Sequence, residues 1–238
     1  MYYEPGITPH GLPHDPFKSC VVPRPIGWIS TVDAQGRDNL APYSQFQNVT
    51  FNPPIVMFAA NQNTLGERKD SVRNVEATGE FVWNMATWDL REAVNRTGEE
   101  LPHGVDEFEH AGLGKLPSRK VRPKRVAGSP IQFECVYLNT VRFPGVPPMG
   151  SVDVVFGRVV AVHIDDAALD ERGRVDILKI RPIARMGYYD FTVVDNRFEM
   201  VIGGGNSALL AGLEGSPEKA AAAAAPSAAS AASAPFAP

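Results

Sequence analysis

Arg24-Pro25-Ile26-Gly27-Trp28-Ile29-Ser30-Thr31-Val32-Asp33-Ala34-Gln35-Gly36 opens the regular part of this chain. The β-branched and aromatic run from Ile26 to Val32 has the composition of a strand, and Asp33-Ala34-Gln35-Gly36 supplies turn residues. Asn39-Leu40-Ala41-Pro42-Tyr43 starts a return strand, so the stretch reads as a β-hairpin. Downstream, Pro53-Pro54 breaks the chain and Ile55-Val56-Met57-Phe58-Ala59-Ala60 reads as a buried strand. Asp70-Ser71 can cap a helix whose apolar positions begin with Val72 and Val75 and which Gly79 ends. Glu80-Phe81-Val82-Trp83-Asn84-Met85 returns as a strand, and Thr87 then caps a helix over residues 88–96.

Residues 102–130 are polar and irregular, too long for a simple connection, and loops of that length commonly serve as lids or partner contacts. Strand patterning resumes at 131–142 and 151–164, residues 170–178 are mixed, and 183–192 carry the aromatic run Tyr188-Tyr189-Asp190-Phe191. A doubly wound sheet would alternate strands and helices to the end. This order instead predicts a mainly β fold with inserted helices, a closed or split β-barrel. The expected organisation is an extended arm over 1–20, one domain over 21–202, and a Gly/Ala/Pro/Ser-rich tail over 203–238 that cannot build a packed core.

Composition narrows the function. With 44% hydrophobic and 21% charged residues, the 238-residue chain has the balance of a soluble domain. Its formal net charge of −4 gives no global field toward DNA, RNA or an anionic membrane. No run approaches the roughly 18 apolar residues of a membrane span, and the first residues lack the basic start and apolar core of a signal peptide. Cys20 and Cys135 form no CxxC and read as free thiols in a reducing cytoplasm.

Familiar motifs are mostly missing. Gly203-Gly204-Gly205-Asn206-Ser207-Ala208 has dinucleotide-fingerprint spacing, but no βαβ unit follows it. No phosphate-binding GxxxxGK[ST] and no GxSxG are present. His10 with His14, or His103 with Glu107 and His110, read as polar loop residues rather than metal ligands. The basic run Arg119-Lys120-Val121-Arg122-Pro123-Lys124-Arg125 lacks interleaved aromatics and reads as a solvated loop, with a dinucleotide contact as the other reading.

Two segments carry more. Asn39-Leu40-Ala41-Pro42-Tyr43-Ser44-Gln45-Phe46 sets a hydroxyl and backbone donors beside aromatic surface, which suits a flat ring with a polar edge and equally suits an ordinary strand with a hydrophilic outer face. Arg68-Lys69-Asp70-Ser71-Val72-Arg73 offers an ammonium, a hydroxyl and the free N–H groups of a helix start, which suit a phosphate or an ordinary capped helix.

Taken in order, Arg24-Pro25-Ile26-Gly27-Trp28-Ile29-Ser30-Thr31, Asn39-Leu40-Ala41-Pro42-Tyr43-Ser44, Lys69-Asp70-Ser71 and Gly79-Glu80-Phe81-Val82-Trp83-Asn84 resemble the flavin reductase-like, FMN-binding split-barrel family. Gly104-Val105-Asp106-Glu107-Phe108-Glu109 and Pro117-Ser118-Arg119-Lys120-Val121 look like its longer, flavoredoxin-like branch. The resemblance implies a homodimer with one FMN per subunit, bound near the interface. It puts Ser30, Thr31, Ser44 and Phe46 near the ring and ribityl chain, and Lys69, Asp70 and Ser71 at the phosphate with Asn84 nearby. Arg185, Tyr188 and Tyr189 would cover the flavin.

The implied reaction is hydride transfer from NAD(P)H to the flavin, with a monooxygenase or an electron-transfer protein as partner. Short-form members carry a Gly-Asp-His element linked with nicotinamide binding, whereas this chain reads Gly150-Ser151-Val152-Asp153-Val154. Two other readings therefore stand beside the reductase: an electron-transfer flavoprotein without direct NAD(P)H use, and a noncatalytic ligand-binding barrel.

Overall fold

In the computed structural model, which describes residues 1–63, 65–146 and 150–200, the hairpin is Gly27–Val32 paired antiparallel with Asp38–Tyr43. The elements begin with α1 (Phe17–Cys20), β1 (Arg24–Pro25), β2 (Gly27–Val32), β3 (Asp38–Tyr43), β4 (Phe46–Phe51) and β5 (Pro54–Asn61). Next come α2 (Asp70–Thr78), β6 (Glu80–Asn84), α3 (Arg91–Arg96), α4 (Glu107–His110), β7 (Lys115–Leu116) and β8 (Arg125–Val126). Two long strands, β9 (Ile131–Phe143) and β10 (Val152–Ile164), precede a 3₁₀ turn at Asp166–Ala168, α5 (Ile177–Ile180), β11 (Ile183–Gly187) and β12 (Asp190–Val193). The expected tail, with the glycine run at 203–205, lies outside the described residues.

Seven strands form one sheet in the order β3-β2-β6-β9-β10-β5-β4, each neighbouring pair antiparallel. β2 is buried at all six positions because both its faces are covered. Ile29 joins Phe58, Val72, Phe81 and Cys135 in one core, while Trp28 joins Leu40, Val94, Phe108 and Val126 in another. The sheet's end strands β3 and β4 are not hydrogen-bonded to each other. Side chains close the seam: Phe46 stacks on Trp83 with ring centroids 5.2 Å apart and planes 2° from parallel. Gly27 lets β4 approach, since a Cβ there would lie 2.9 Å from Phe46. The fold is a split β-barrel, with a small sheet β1-β11-β12 beside it.

α2 plugs one side of the barrel through Val72 and Val75, both fully buried. It ends as read, with Gly79 left-handed at φ 76° and its N–H on the Val75 carbonyl at 2.8 Å. Three sequence expectations need correction. The helix expected from 88 starts at Arg91, and Thr87 makes a β-bridge to Pro182 instead of capping it. α2 takes Lys69 as its N-cap residue, and no side chain caps its first turn. Residues 46–51, not read as regular structure, form β4, paired with β5 from Phe46 to Phe51.

The long segment after Pro102 is moored rather than loose. Glu134, fully buried on β9, accepts the Arg119 N–H at 2.8 Å, the Lys120 N–H at 2.6 Å and the His163 ring at 2.5 Å. Burial alone would raise this carboxyl, but those bonds outweigh it and hold the group below the usual glutamate range. Cys20 is exposed and Cys135 buried, and neither is in a disulfide. Among the described residues no helix is long and apolar enough to cross a membrane.

Candidate functional site

Strand geometry sends Asn39, Ala41 and Tyr43 to one face of β3, and that face meets the start of α2 in a cleft of about 200 Å³. Lys69, Asp70, Ser71 and Arg73 enter from α2, and His103 and Glu107 close the far wall. Ser71, 1% exposed, has its hydroxyl held by the Asn39 amide at 3.0 Å. Its other partner is the Tyr43 phenol, which burial raises far above its ordinary pKa, so it stays neutral. The Lys69 ammonium lies 3.0 Å from Glu100 at the cleft mouth.

The acids here are of two kinds. Burial acts to raise Asp70, but hydrogen bonds and charge from Arg73 and His103 outweigh it and hold the carboxyl below its ordinary value. Its contact with His103 Nδ1 is 2.9 Å. Glu107 goes the other way. Burial pushes it up to about 7, with the charges of Asp70 and Asp106 adding and the Leu40 N–H, 2.9 Å away, opposing. Near neutral pH Glu107 is therefore protonated in part of the molecules, which lowers the negative charge of the cleft. The Lys69 ammonium and the start of α2, with Ser71 beneath, then form an end of the cleft that suits a phosphate. Among the described residues no three His, Cys, Asp or Glu side chains are grouped to hold a metal ion.

The cleft does not end there. Pro42 and Gly98 also wall a second hollow of about 240 Å³ that holds Ser44, Ile26 and Arg185. Ser44 and Arg185 in turn wall a third, of about 660 Å³, lined by Lys18, Arg24 and Tyr188. The three hollows thus adjoin one another around β3, from Lys69 past Pro42 to Ser44 and beyond, as one trough of neighbouring hollows.

Of the residues expected at the site, Lys69, Asp70 and Ser71 share the first cleft, and Ser44 stands in the two that follow. The other four face inward. Ser30 donates to the Lys124 carbonyl at 2.5 Å, and Thr31 accepts from Asn74 at 3.1 Å. Asn84 donates to the Trp28 carbonyl at 3.2 Å and accepts from the Val126 N–H at 2.8 Å. Phe46 closes the seam. Asn39 and Tyr43 were missing from that set, although alternation along the quoted segment puts them on the face of Ala41. Glu107, 67 positions from Leu40, leaves no local signal of its part in the cleft.

Comparison with known proteins agrees with the fold. An uncharacterised protein of Aquifex aeolicus (strain VF5) is 40% identical over 171 residues, 71% of this chain and 84% of that one. The crystal structure of nitrilotriacetate monooxygenase component B from Bacillus cereus superposes with a TM-score of 0.76 at 28% identity, over 84% of this chain and 98% of that one. A Shewanella frigidimarina NCIMB 400 protein with a split barrel domain gives 0.68 at 21% identity, over 79% and 90%, and so bears on the fold alone. The model of the flavin reductase like domain matches residues 19–190, a span that contains the whole barrel and the trough along β3. The chain belongs to the flavin reductase like family.

Proposed function

We propose that this chain binds FMN noncovalently in the trough and acts as an NAD(P)H-dependent flavin reductase. The observation that carries the reading is the meeting of Lys69, the buried Ser71 hydroxyl and the α2 N-terminus in one cleft that shares its Pro42 and Gly98 wall with the Ser44 hollow. Lys69 and Ser71 hold the phosphate, and Asp70 keeps Arg73 and His103 at its rim. Seating the phosphate exchanges the Lys69–Glu100 pair for a charge-assisted bond to the cofactor. Ser44 meets the ring edge. Ser30, Thr31, Asn84 and Phe46 act from beneath by holding β2, β4 and β6 in place.

Bound FMN supplies a two-electron acceptor. The protein's own work is to exclude water, orient the ring and leave one face open to a hydride donor. That step requires no acid–base side chain. The likeness to a monooxygenase component supports a monooxygenase as recipient of the reduced flavin. Exposed Leu138, Val141 and Phe143 on β9 favour a homodimer with one FMN per subunit, and the two free thiols favour the cytoplasm.

The test is FMN affinity, followed by fluorescence quenching. Lys69→Ala combined with Ser71→Ala is expected to weaken it about 100-fold, and an unchanged affinity overturns the site. One observation favours electron transfer without direct NAD(P)H use: Asp153, in the segment that lacks the histidine of short-form members, is buried between Arg68 at 2.9 Å and Arg142 at 2.7 Å. A yellow protein that anaerobic NADH and NADPH both leave unbleached would establish that second reading. A colourless protein that does not quench FMN would leave only a noncatalytic barrel.

A further inference from the structure

Beyond Ser44 the trough ends in a corner whose electrostatics are unbalanced. Arg24 on β1 and Arg185 on β11 are direct cross-strand partners, an arrangement in which like charges destabilise a sheet. Neither forms an ion pair with a carboxylate among the described residues, and neither does Lys18, which lines the same hollow. Arg24 Nη1 donates to the carbonyls of Val21, at 2.7 Å, and Lys18. Its Nε, however, is buried without a partner. Ser19 Oγ, packed where a Cβ on Gly187 would lie 2.2 Å away, is the other buried side-chain polar atom in that condition among the described residues. Both orphaned donors therefore sit in one corner. Burial and the neighbouring charge of Arg185 also lower the pKa of Arg24, the opposite of what a paired guanidinium shows.

Two tyrosines stand in the wall of this hollow, with the Asp15 carboxylate and His14 beside the three cations. Tyr188 is half exposed and Tyr189 almost wholly so. Tyr188 also holds a left-handed backbone, φ 47°, that a bulky residue adopts only under constraint. The constraint is visible, since Arg185 Nη2 donates to the Tyr188 carbonyl and its guanidinium lies 4.6 Å from the Phe191 ring centroid. The arrangement holds an aromatic face beside a cationic pocket, which suits an anionic group joined to a base.

The geometry points to this corner as the seat of the hydride donor's diphosphate: Arg24, Arg185 and Lys18 hold the phosphate oxygens, and the adenine ring lies against Tyr188. The assignment rests on a nicotinamide dinucleotide being the donor. The order along the trough supports it, with the FMN phosphate at Lys69, the ring edge at Ser44, and the second nucleotide's anion beyond.

The test uses FMN-saturated protein and measures ADP and adenosine binding by equilibrium dialysis, without turnover. ADP is expected to bind at least about 10-fold more tightly than adenosine. Lys18→Gln and Arg185→Gln should each weaken ADP about 10-fold while adenosine is unaffected, and Arg185→Lys should restore part of the loss. Lys18 is exposed, so its variant probes the site without disturbing packing. ADP binding no tighter than adenosine, or undiminished in both Lys18→Gln and Arg185→Gln, overturns the inference. ADP binding without NADH or NADPH oxidation leaves the corner standing and removes the reductase, whereas turnover without ADP binding does the reverse.

Discussion

Replacing Glu107 by glutamine removes a proton-binding group from the cleft while keeping an acceptor for the Leu40 N–H. In the folded chain this carboxyl is raised from 4.5 to about 7, chiefly by burial. Below the lower value both folded and unfolded chains carry the proton and no pH dependence arises. Between the two values the unfolded chain loses it first, so the wild type loses stability as pH rises through 7, and above that the loss is complete. At 1.36 kcal/mol per pH unit the gap amounts to roughly 3 kcal/mol, an upper figure because the carboxyl keeps some solvent contact. Urea unfolding of both proteins from about pH 4.5 to pH 8.5 measures it. The stability of Glu107→Gln relative to wild type should climb across that interval and flatten above it. A difference that stays constant with pH would refute the burial argument, because no other group differs between the two proteins.

Glu134→Gln should cost about 2–4 kcal/mol, read from denaturant midpoints, because the two N–H groups at Arg119 and Lys120 and the His163 ring lose their charged acceptor. The wild type should also shed stability as pH falls through the lowered value of this carboxyl, a trend the variant lacks. Gly157→Ala drives a methyl to 2.2 Å from the buried Phe81 ring and should lower stability by about 3 kcal/mol, seen as a drop in Tm. Glu100→Gln releases Lys69 from its partner and should tighten FMN binding about 3- to 10-fold by fluorescence titration; weaker binding would mean that Glu100 helps hold the cleft in shape.

The barrel was legible because its strands announce themselves locally. Trp28, Ile29 and Val32 are β-formers whose run ends in turn residues, and Val72, Val75 and Gly79 mark a helix and its stop by spacing alone. β4 escaped because its β-formers Phe46, Val49, Thr50 and Phe51 do not alternate with polar residues: the ladder shifts register between Asn48 and Thr50, and Val49 and Phe51 are exposed on an end strand. The site was half legible for a related reason. Lys69 and Ser71 lie two positions apart at one helix start, whereas Glu107 and the Arg24–Arg185 pair meet their partners only through tertiary contact. Ser30, Thr31 and Asn84 look like ligand contacts in a string of residues, since a hydroxyl or amide in a strand gives no sign of whether it turns to a cleft or to a neighbouring strand. The structure turns all three inward. For the same reason the run 119–125 looked solvated, while its backbone is tied to a buried acid more than ten positions away.

Because β4 is not laddered to the other end strand β3, its inner side is held by ring contact, Phe46 on Trp83 of β6, rather than by amide hydrogen bonds. The gauge of that contact is set by one hydrogen atom: the α-hydrogen that Gly27 presents where every other amino acid would present carbon. Any side chain there would wedge β4 away from Trp83 and re-aim Ser44, two residues before Phe46, so the breadth of the slot along which a ring would slide is governed from a position that never touches it.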